Sequence, residues 1–359
     1  MDGKTINLLI LNPGSTSTKV GVYQDETPVF VETLRHDAET IGQFKNIWEQ
    51  YAFRKSAIAG VVRAKGWDFK QFTAIVSRGG IFKPIPSGVY DINQAMLDDA
   101  QSGIYGQHIS SVGCQIAFDM GRELGIPAFM IDPPCCDELC DEARYTGLPQ
   151  LKRRSMYHAL NQKAIGRRLA KELGLEYPAL RAVIAHLGGG ISVAAHFLGR
   201  VIDVNNALDG DGPYSPERAG SLPAGDLIRM CFSGEYSEAQ MLKMVSGKGG
   251  LLAHLNTTDG QEIEARIVNG DIKAKAVVEA MAYQISKEIG AMAAVLKGDV
   301  QAIALTGGLA HWQRLVKMIS GSVNFIAPVH VYPGENEIEA LALGALRALR
   351  GEEPVLKYT

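Results

Sequence analysis

The chain has 359 residues, 46% apolar and 21% charged, with a net charge of −3. That is more chain than one core usually serves, so two domains are expected in a globular protein. No basic run or acidic tail is present, which argues against nucleic acid or anionic membrane as partners. No apolar stretch of spanning length occurs and no signal-peptide pattern follows Lys4, so a cytosolic protein is expected.

In chain order, Leu8 to Leu11 is a buried strand and Val20 to Tyr23 its returning partner. Between them, Asn12-Pro13-Gly14-Ser15-Thr16-Ser17-Thr18-Lys19 gathers backbone amides, four hydroxyls and one ammonium, with no acidic side chain. Such a turn suits a polyanionic phosphate, although a plain polar hairpin has the same composition. Pro28 to Leu34 alternates like a third strand, and Ile41 to Lys65 has helical spacing. Ala74 to Ser77 is a strand ending at Arg78-Gly79-Gly80, helices follow over 93–101 and 109–124, and Ala128 to Ile131 is a strand ending at Asp132. Ligands of open α/β sheets gather at such strand ends, which places Asn12, Arg78 and Asp132 on one rim. The cluster Cys135, Cys136 and Cys140 lacks the paired spacing of a zinc site. With Cys114 and Cys231 it makes five cysteines, read as reduced thiols.

Pro149 and Lys152-Arg153-Arg154 mark a boundary, giving an N-terminal domain over 1–150 and a C-terminal domain over 151–336. The last helix and tail, 337–359, are expected to pack back on the first domain. After a helix over 155–173 the opening pattern recurs. Ala182 to Ala185 is a strand, His186-Leu187-Gly188-Gly189-Gly190 a glycine turn, Ile191 to Phe197 a returning strand and Arg200 to Val204 a third. A loop over 205–223 leads to helices over 224–232 and 237–245, a glycine loop over 246–250, and a long helix over 272–296 read as buried over much of its surface. A strand over 301–305 enters Thr306-Gly307-Gly308, another lies within 325–332, and a helix covers 337–349. The long and terminal apolar helices suggest a homo-oligomer.

Neither the Walker pattern nor the dinucleotide fingerprint occurs. Three small-residue loops follow strands instead, at Gly14 to Lys19, Gly188 to Gly190 and Gly307-Gly308. Glycine lets backbone approach a phosphate or a nucleoside closely. Their order over two repeated halves resembles the actin, hexokinase and Hsp70 superfamily. Leu8 to Lys19, Ser77 to Gly80, His158 to Lys163, Val183 to Ala195, Asp203 to Gly210, Ser215-Pro216-Glu217-Arg218 and Pro333-Gly334-Glu335 resemble the acetokinase family of short-chain carboxylate kinases, nearly end to end.

The resemblance implies two duplicated actin-like (ribonuclease H-like) α/β domains with a nucleotide cleft between them. It also implies transfer of a phosphoryl group between ATP and a carboxylate, giving acyl phosphate and ADP. Arg78 and Arg218 match the family's clamp on the transferring group, where planar guanidinium forks suit the geometry. His158 matches an active-site histidine, His186 opens the second phosphate loop, and His108 matches a third. Asp132 matches an aspartate near metal and acceptor. Asn12 and Glu337 match the magnesium positions, with Glu335 competing for the second. Acetate kinases have Asn in place of Gly189 and a bulkier residue in place of Gly80, so Gly80 is expected to leave room for a four-carbon acid. Tyr157 is either a wall of that pocket or ordinary core. The rival readings are a kinase for isobutyrate, propionate or acetate, and a nucleotide-switched scaffold on the same fold. The scaffold has no use for paired arginines.

Overall fold

A computed structural model describes residues 5–359 and divides into two compact units. The first comprises the described residues up to Cys136 together with Asn336–Thr359, and the second is Asp137–Glu335. Pro149 and the basic run after it therefore lie inside the second unit. Backbone pairing sets the division: Cys136 bridges to Ile85 in the first unit, whereas the Cys140 N–H bonds Ile202 O in the second.

The first unit opens with β1 (Asn7–Pro13), β2 (Ser17–Gln24), β3 (Thr27–Arg35), β4 (Ala74–Arg78), β5 (Val89–Asp91) and β6 (Ala128–Ile131). The second carries β7 (Ala182–Leu187), β8 (Ile191–Phe197), β9 (Arg200–Val204), β10 (Ala302–Gly307) and β11 (Val329–Pro333). Finally β12 (Val355–Lys357) belongs to the first sheet, whose order is β12-β5-β6-β4-β1-β2-β3; the second sheet runs β11-β10-β7-β8-β9. With β12 and β5 set aside, the two orders coincide strand for strand. The pairing sense repeats as well. Among these five corresponding strands each unit has two antiparallel pairs, β1/β2 and β2/β3 or β7/β8 and β8/β9, followed by two parallel ones, β1/β4 and β4/β6 or β7/β10 and β10/β11.

Several elements differ from their sequence reading. The stretch over 41–65 is not one helix: Asn46 Oδ1 accepts from the Trp48 and Glu49 N–H groups, caps a short turn, and leaves Tyr51–Ala64 as the main helix. Two helices missed in the sequence, Gly250–Leu255 and Gly260–Val268, follow the glycine loop; Asp259 caps the second. The helix Ala159–Glu172 starts after His158. The long helix Ile272–Val295 buries a stripe including Val278, Met281, Ile285, Ile289 and Met292 and leaves Tyr283 64% exposed, so one face is buried, not most of the surface.

Apolar residues of the strand faces and of the helices laid on them make each core. The helix Glu337–Arg350 packs on β1, β2, β4 and β6 of the first sheet. Two glycines allow its close approach. A Cβ on Gly21 would lie 2.5 Å from Ile338 Cγ2, and one on Gly344 2.7 Å from Ile131 Cδ1.

On the long helix, burial first and then the nearby Asp211 push the Glu288 carboxyl from its ordinary 4.5 to about 7, against the pull of Arg153. The folded protein then holds a proton that the unfolded chain releases above pH 4.5. Stability should therefore fall by on the order of 3 kcal/mol as pH rises from about 4.5 through 7. Thermal melting across that window should show the slope in the parent protein and a flatter one in Glu288→Gln.

Candidate active site

In the first unit, β1, β4 and β6 are neighbouring parallel strands, and Asn12, Arg78 and Asp132 stand at or just beyond their carboxyl ends. Asp132 is buried, has φ +39°, and accepts the Gly88 N–H on Oδ1 at 2.7 Å. A non-glycine residue in that conformation at a strand end is a strained position held by its surroundings. Glu337, first residue of the helix laid on this sheet, joins the same rim. Its Oε1 is 3.0 Å from Arg78 Nη1 and its Oε2 accepts from Asn12 Nδ2 at 2.7 Å. The Asn12 amide orientation leaves its oxygen without a hydrogen bond among the described residues.

His108 faces Arg78 and Glu337. Burial foremost, with Arg78 adding to it, pulls its pKa down to about 4. Its Nδ1 accepts the Ser110 N–H at 3.2 Å, so the neutral ring carries its proton on Nε2 and is a donor at neutral pH. A Cβ on Gly80 would lie 2.0 Å from Ser111 Oγ, so the missing side chain makes room for the helix Ser110–Leu124.

Beneath the loop between β1 and β2 lies a residue that sequence reasoning passed over. Arg54 is fully buried on the helix Tyr51–Ala64 and donates to Gln50 Oε1, Ser17 O, Thr18 Oγ1 and Ser15 O at 2.9, 2.9, 2.8 and 3.1 Å. All four acceptors are neutral. Burial lowers its pKa to about 10, which still leaves it charged at neutral pH. Thr18, counted among four ligand-facing hydroxyls, is instead turned inward between Arg54 and His36 Nε2, 2.9 Å away. Ser15 and Thr16 are exposed and Ser17 and Lys19 half-buried. The turn itself closes through Gly14 N–H to Ser17 O at 2.8 Å.

In the second unit the hairpin between β7 and β8 takes the corresponding place. The Gly188 N–H bonds Gly190 O at 3.0 Å, and Gly189 is exposed. Arg218 lies across Gly190, where a Cβ would sit 1.7 Å from Nη1, and that same Nη1 donates to Ala207 O. The Arg218 turn is fixed by its N–H to Ser215 Oγ at 3.2 Å, while Ser215 Oγ donates to Gly189 O at 2.5 Å. The rings of His158 and His186 stack at 3.7 Å with an angle of 9°. His186 Nδ1 meets Asn161 Oδ1 at 2.8 Å; its Nε2 lies 3.0 Å from Glu335 Oε1 but outside hydrogen-bonding geometry. Glu335 and Glu337, rivals in the sequence, thus stand in different units with different partners. Tyr157 is buried.

Thr306 is buried and Gly307, φ +89°, would put a Cβ 2.5 Å from Leu187 O. Gly308 is open, and borders a cavity of 980 Å³ that Asp259, Gly260, Gln261, His311 and Trp312 also line. Of these, the sequence reading had only Gly308. The others sit on or beside the missed helix Gly260–Val268, where Trp312 Nε1 is anchored to Glu264 Oε2 at 2.8 Å.

The family model of the acetokinase family matches residues 148–326. A probable butyrate kinase of Clostridium botulinum (strain Alaska E43 / Type E3) is 50% identical over 351 residues, 98% of this chain and 99% of the relative. Butyrate kinase 2 of Clostridium acetobutylicum is 47% identical over the same shares. The crystal structure of Porphyromonas gingivalis acetate kinase superposes with a TM-score of 0.80 at 18% identity, covering 96% of this chain and 100% of that one. The fold is the two-domain, actin-like α/β architecture of carboxylate kinases. The chain belongs to the acetokinase family.

Two substitutions probe this geometry. Gly190→Ala should displace Arg218 and lower kcat by at least about a hundredfold, as loss of a positioned charge donor does, with melting temperature nearly unchanged. Arg54→Met leaves the carbonyl of Ser15 without its donor and that of Ser17 with the Gly14 N–H alone. It should raise KM for ATP on the order of tenfold, matching the 1–3 kcal/mol of an unsatisfied buried group.

Proposed function

We propose that this protein is a butyrate kinase, reversibly transferring the γ-phosphoryl group of ATP to butyrate to give butyryl phosphate and ADP. The structural observation that carries the reading is the Arg78–Glu337–Asn12 cluster at the carboxyl ends of neighbouring parallel strands. Near-full-length identity to butyrate kinases supports the choice of acid. ATP is the co-substrate.

In this reading Arg78 and Arg218 each present a guanidinium fork to the equatorial oxygens of the transferring group. Desolvation makes such donors stronger, and Arg218 is buried enough to have its pKa lowered. The acceptor carboxylate is already ionised near neutral pH, so no base is required. His108 and His158 donate hydrogen bonds, and Asp132 orders the strand end around the acceptor. Backbone amides of Gly14 to Ser17, with Lys19, hold one phosphate and Gly188 to Gly190 with His186 another. Thr306, Gly307 and Gly308 lead into the cavity beside Trp312, which suits the nucleoside in size and aromatic lining.

One carboxylate and one amide oxygen are a fitting donor set for magnesium carried mainly by nucleotide phosphates and water. Asn12 and Glu337 would hold it, and it would neutralise phosphate charge. Among the described residues no helix is long and apolar enough to cross a membrane, and a cytoplasmic homo-oligomer fits the reading.

Incubation with ATP, magnesium and butyrate in the presence of hydroxylamine should yield butyryl hydroxamate; none formed by the folded enzyme would refute the activity. Two extra buried methylenes should favour butyrate over acetate by roughly tenfold in kcat/KM. Arg78→Ala and Arg218→Ala should each lose at least about a hundredfold in turnover with circular dichroism unchanged.

A further inference from the structure

The second unit contains a chain of buried polar side chains whose proton positions can be worked out one after another. Gln162, Ser192 and His196 are each fully buried, whereas His158 is half-buried. Gln162 Nε2 lies 3.0 Å from Ser192 O and 2.9 Å from Ser192 Oγ. A backbone carbonyl can only accept, which fixes that end of the amide as the nitrogen. The other end is then the oxygen, and it meets His196 Nε2 at 3.0 Å, so His196 carries its proton on Nε2. His196 Nδ1 is left to accept from the Tyr177 hydroxyl at 3.0 Å. Burial, ahead of the nearby Lys163 and Arg167, lowers the His196 pKa and keeps that ring neutral, in agreement with the assignment.

The consequence falls on Ser192. Its oxygen accepts from Gln162, and its own proton has one acceptor within reach among the described residues, His158 Nδ1 at 3.1 Å. A fully buried hydroxyl seldom forgoes its donor bond. The neutral His158 ring must therefore bear its proton on Nε2. A proton on Nδ1 would turn the serine into an acceptor twice over and strand its hydrogen. Stacking on His186 holds the ring plane that this bond selects.

We propose that Ser192 and Gln162, braced by His196 and Tyr177, are positioning residues that lock His158 in its Nε2–H tautomer, as a hydrogen-bond donor and not a base. The inference rests on the kinase reading for its purpose: transfer to an ionised carboxylate needs a donor toward the reacting oxygens and has no proton to remove. The first part of the test does not depend on that reading.

The measurement is imidazole nitrogen NMR of the 15N-histidine-labelled full chain at about pH 8, with His158 assigned by its loss in His158→Gln. The wild-type protein should show a protonated Nε2 and a bare Nδ1. A bare Nε2 overturns the proposal, whatever any variant does. In the second part, Ser192→Ala and Gln162→Met should lower kcat about ten- to a hundredfold, the usual effect of removing a partner that orients a histidine, and leave KM for ATP within about twofold. Ser192→Thr, which keeps the hydroxyl, should recover most of the lost rate. An unchanged kcat in Ser192→Ala, or a threonine variant no better than alanine, overturns the positioning role. Failure of the wild-type enzyme to form any acyl phosphate would instead sink the kinase reading, and the tautomer result would remain to be judged by itself.

Discussion

The close seating of the helix Glu337–Arg350 on the first sheet is the constraint on which the candidate site depends. Gly21 and Gly344 remove the side chains that would hold it off, and the first residue of the helix is then set beside the strand ends. Glu337 thereby binds Asn12 and Arg78 together, one through each carboxylate oxygen. A carboxylate between a guanidinium and an amide keeps the arginine oriented before any anion arrives, and such pre-organisation is what a transfer site needs.

The repeated β-order gives the two units different work. In the first, the loop between β1 and β2 rests on a buried cation, Arg54, that has no carboxylate partner among the described residues. A bound polyanion would supply the missing negative charge through the loop's own backbone. In the second, the loop between β7 and β8 is bare glycine, and the charge is brought by Arg218 lying across Gly190. The same hairpin position thus carries a guanidinium in both units, from below in the first and from the side in the second.

Much of this could be read in the amino-acid order because strand, small-residue turn and returning strand leave a strong local signature. The spans of β8 and β9 and the positions of Asn12 and Arg78 at the ends of β1 and β4 were legible for that reason. Arg54 was not, since on the helix Tyr51–Ala64 it has the spacing of an ordinary surface arginine and its partners Ser15, Ser17 and Thr18 are distant in sequence. The strands β5 and β12 span three residues each, too few for alternation to register. Gly80 was legible as a glycine but not as a packing position, because Ser111, the atom it makes way for, lies on a separate helix. The cavity beside Trp312 was missed along with the helix that forms its wall.

The chain order of the two units bears on how the polypeptide matures. The second unit is one uninterrupted segment, whereas the first lacks a layer over one face of its sheet until Glu337–Arg350 has been synthesised. On the ribosome, the later half can therefore reach its final packing while the earlier half still waits, an inversion of the usual N-terminal-first sequence. The earlier half passes that interval as an unfinished intermediate with the face of β1, β2, β4 and β6 that takes this helix uncovered. Chaperone demand should accordingly concentrate on the portion of the protein that was made first.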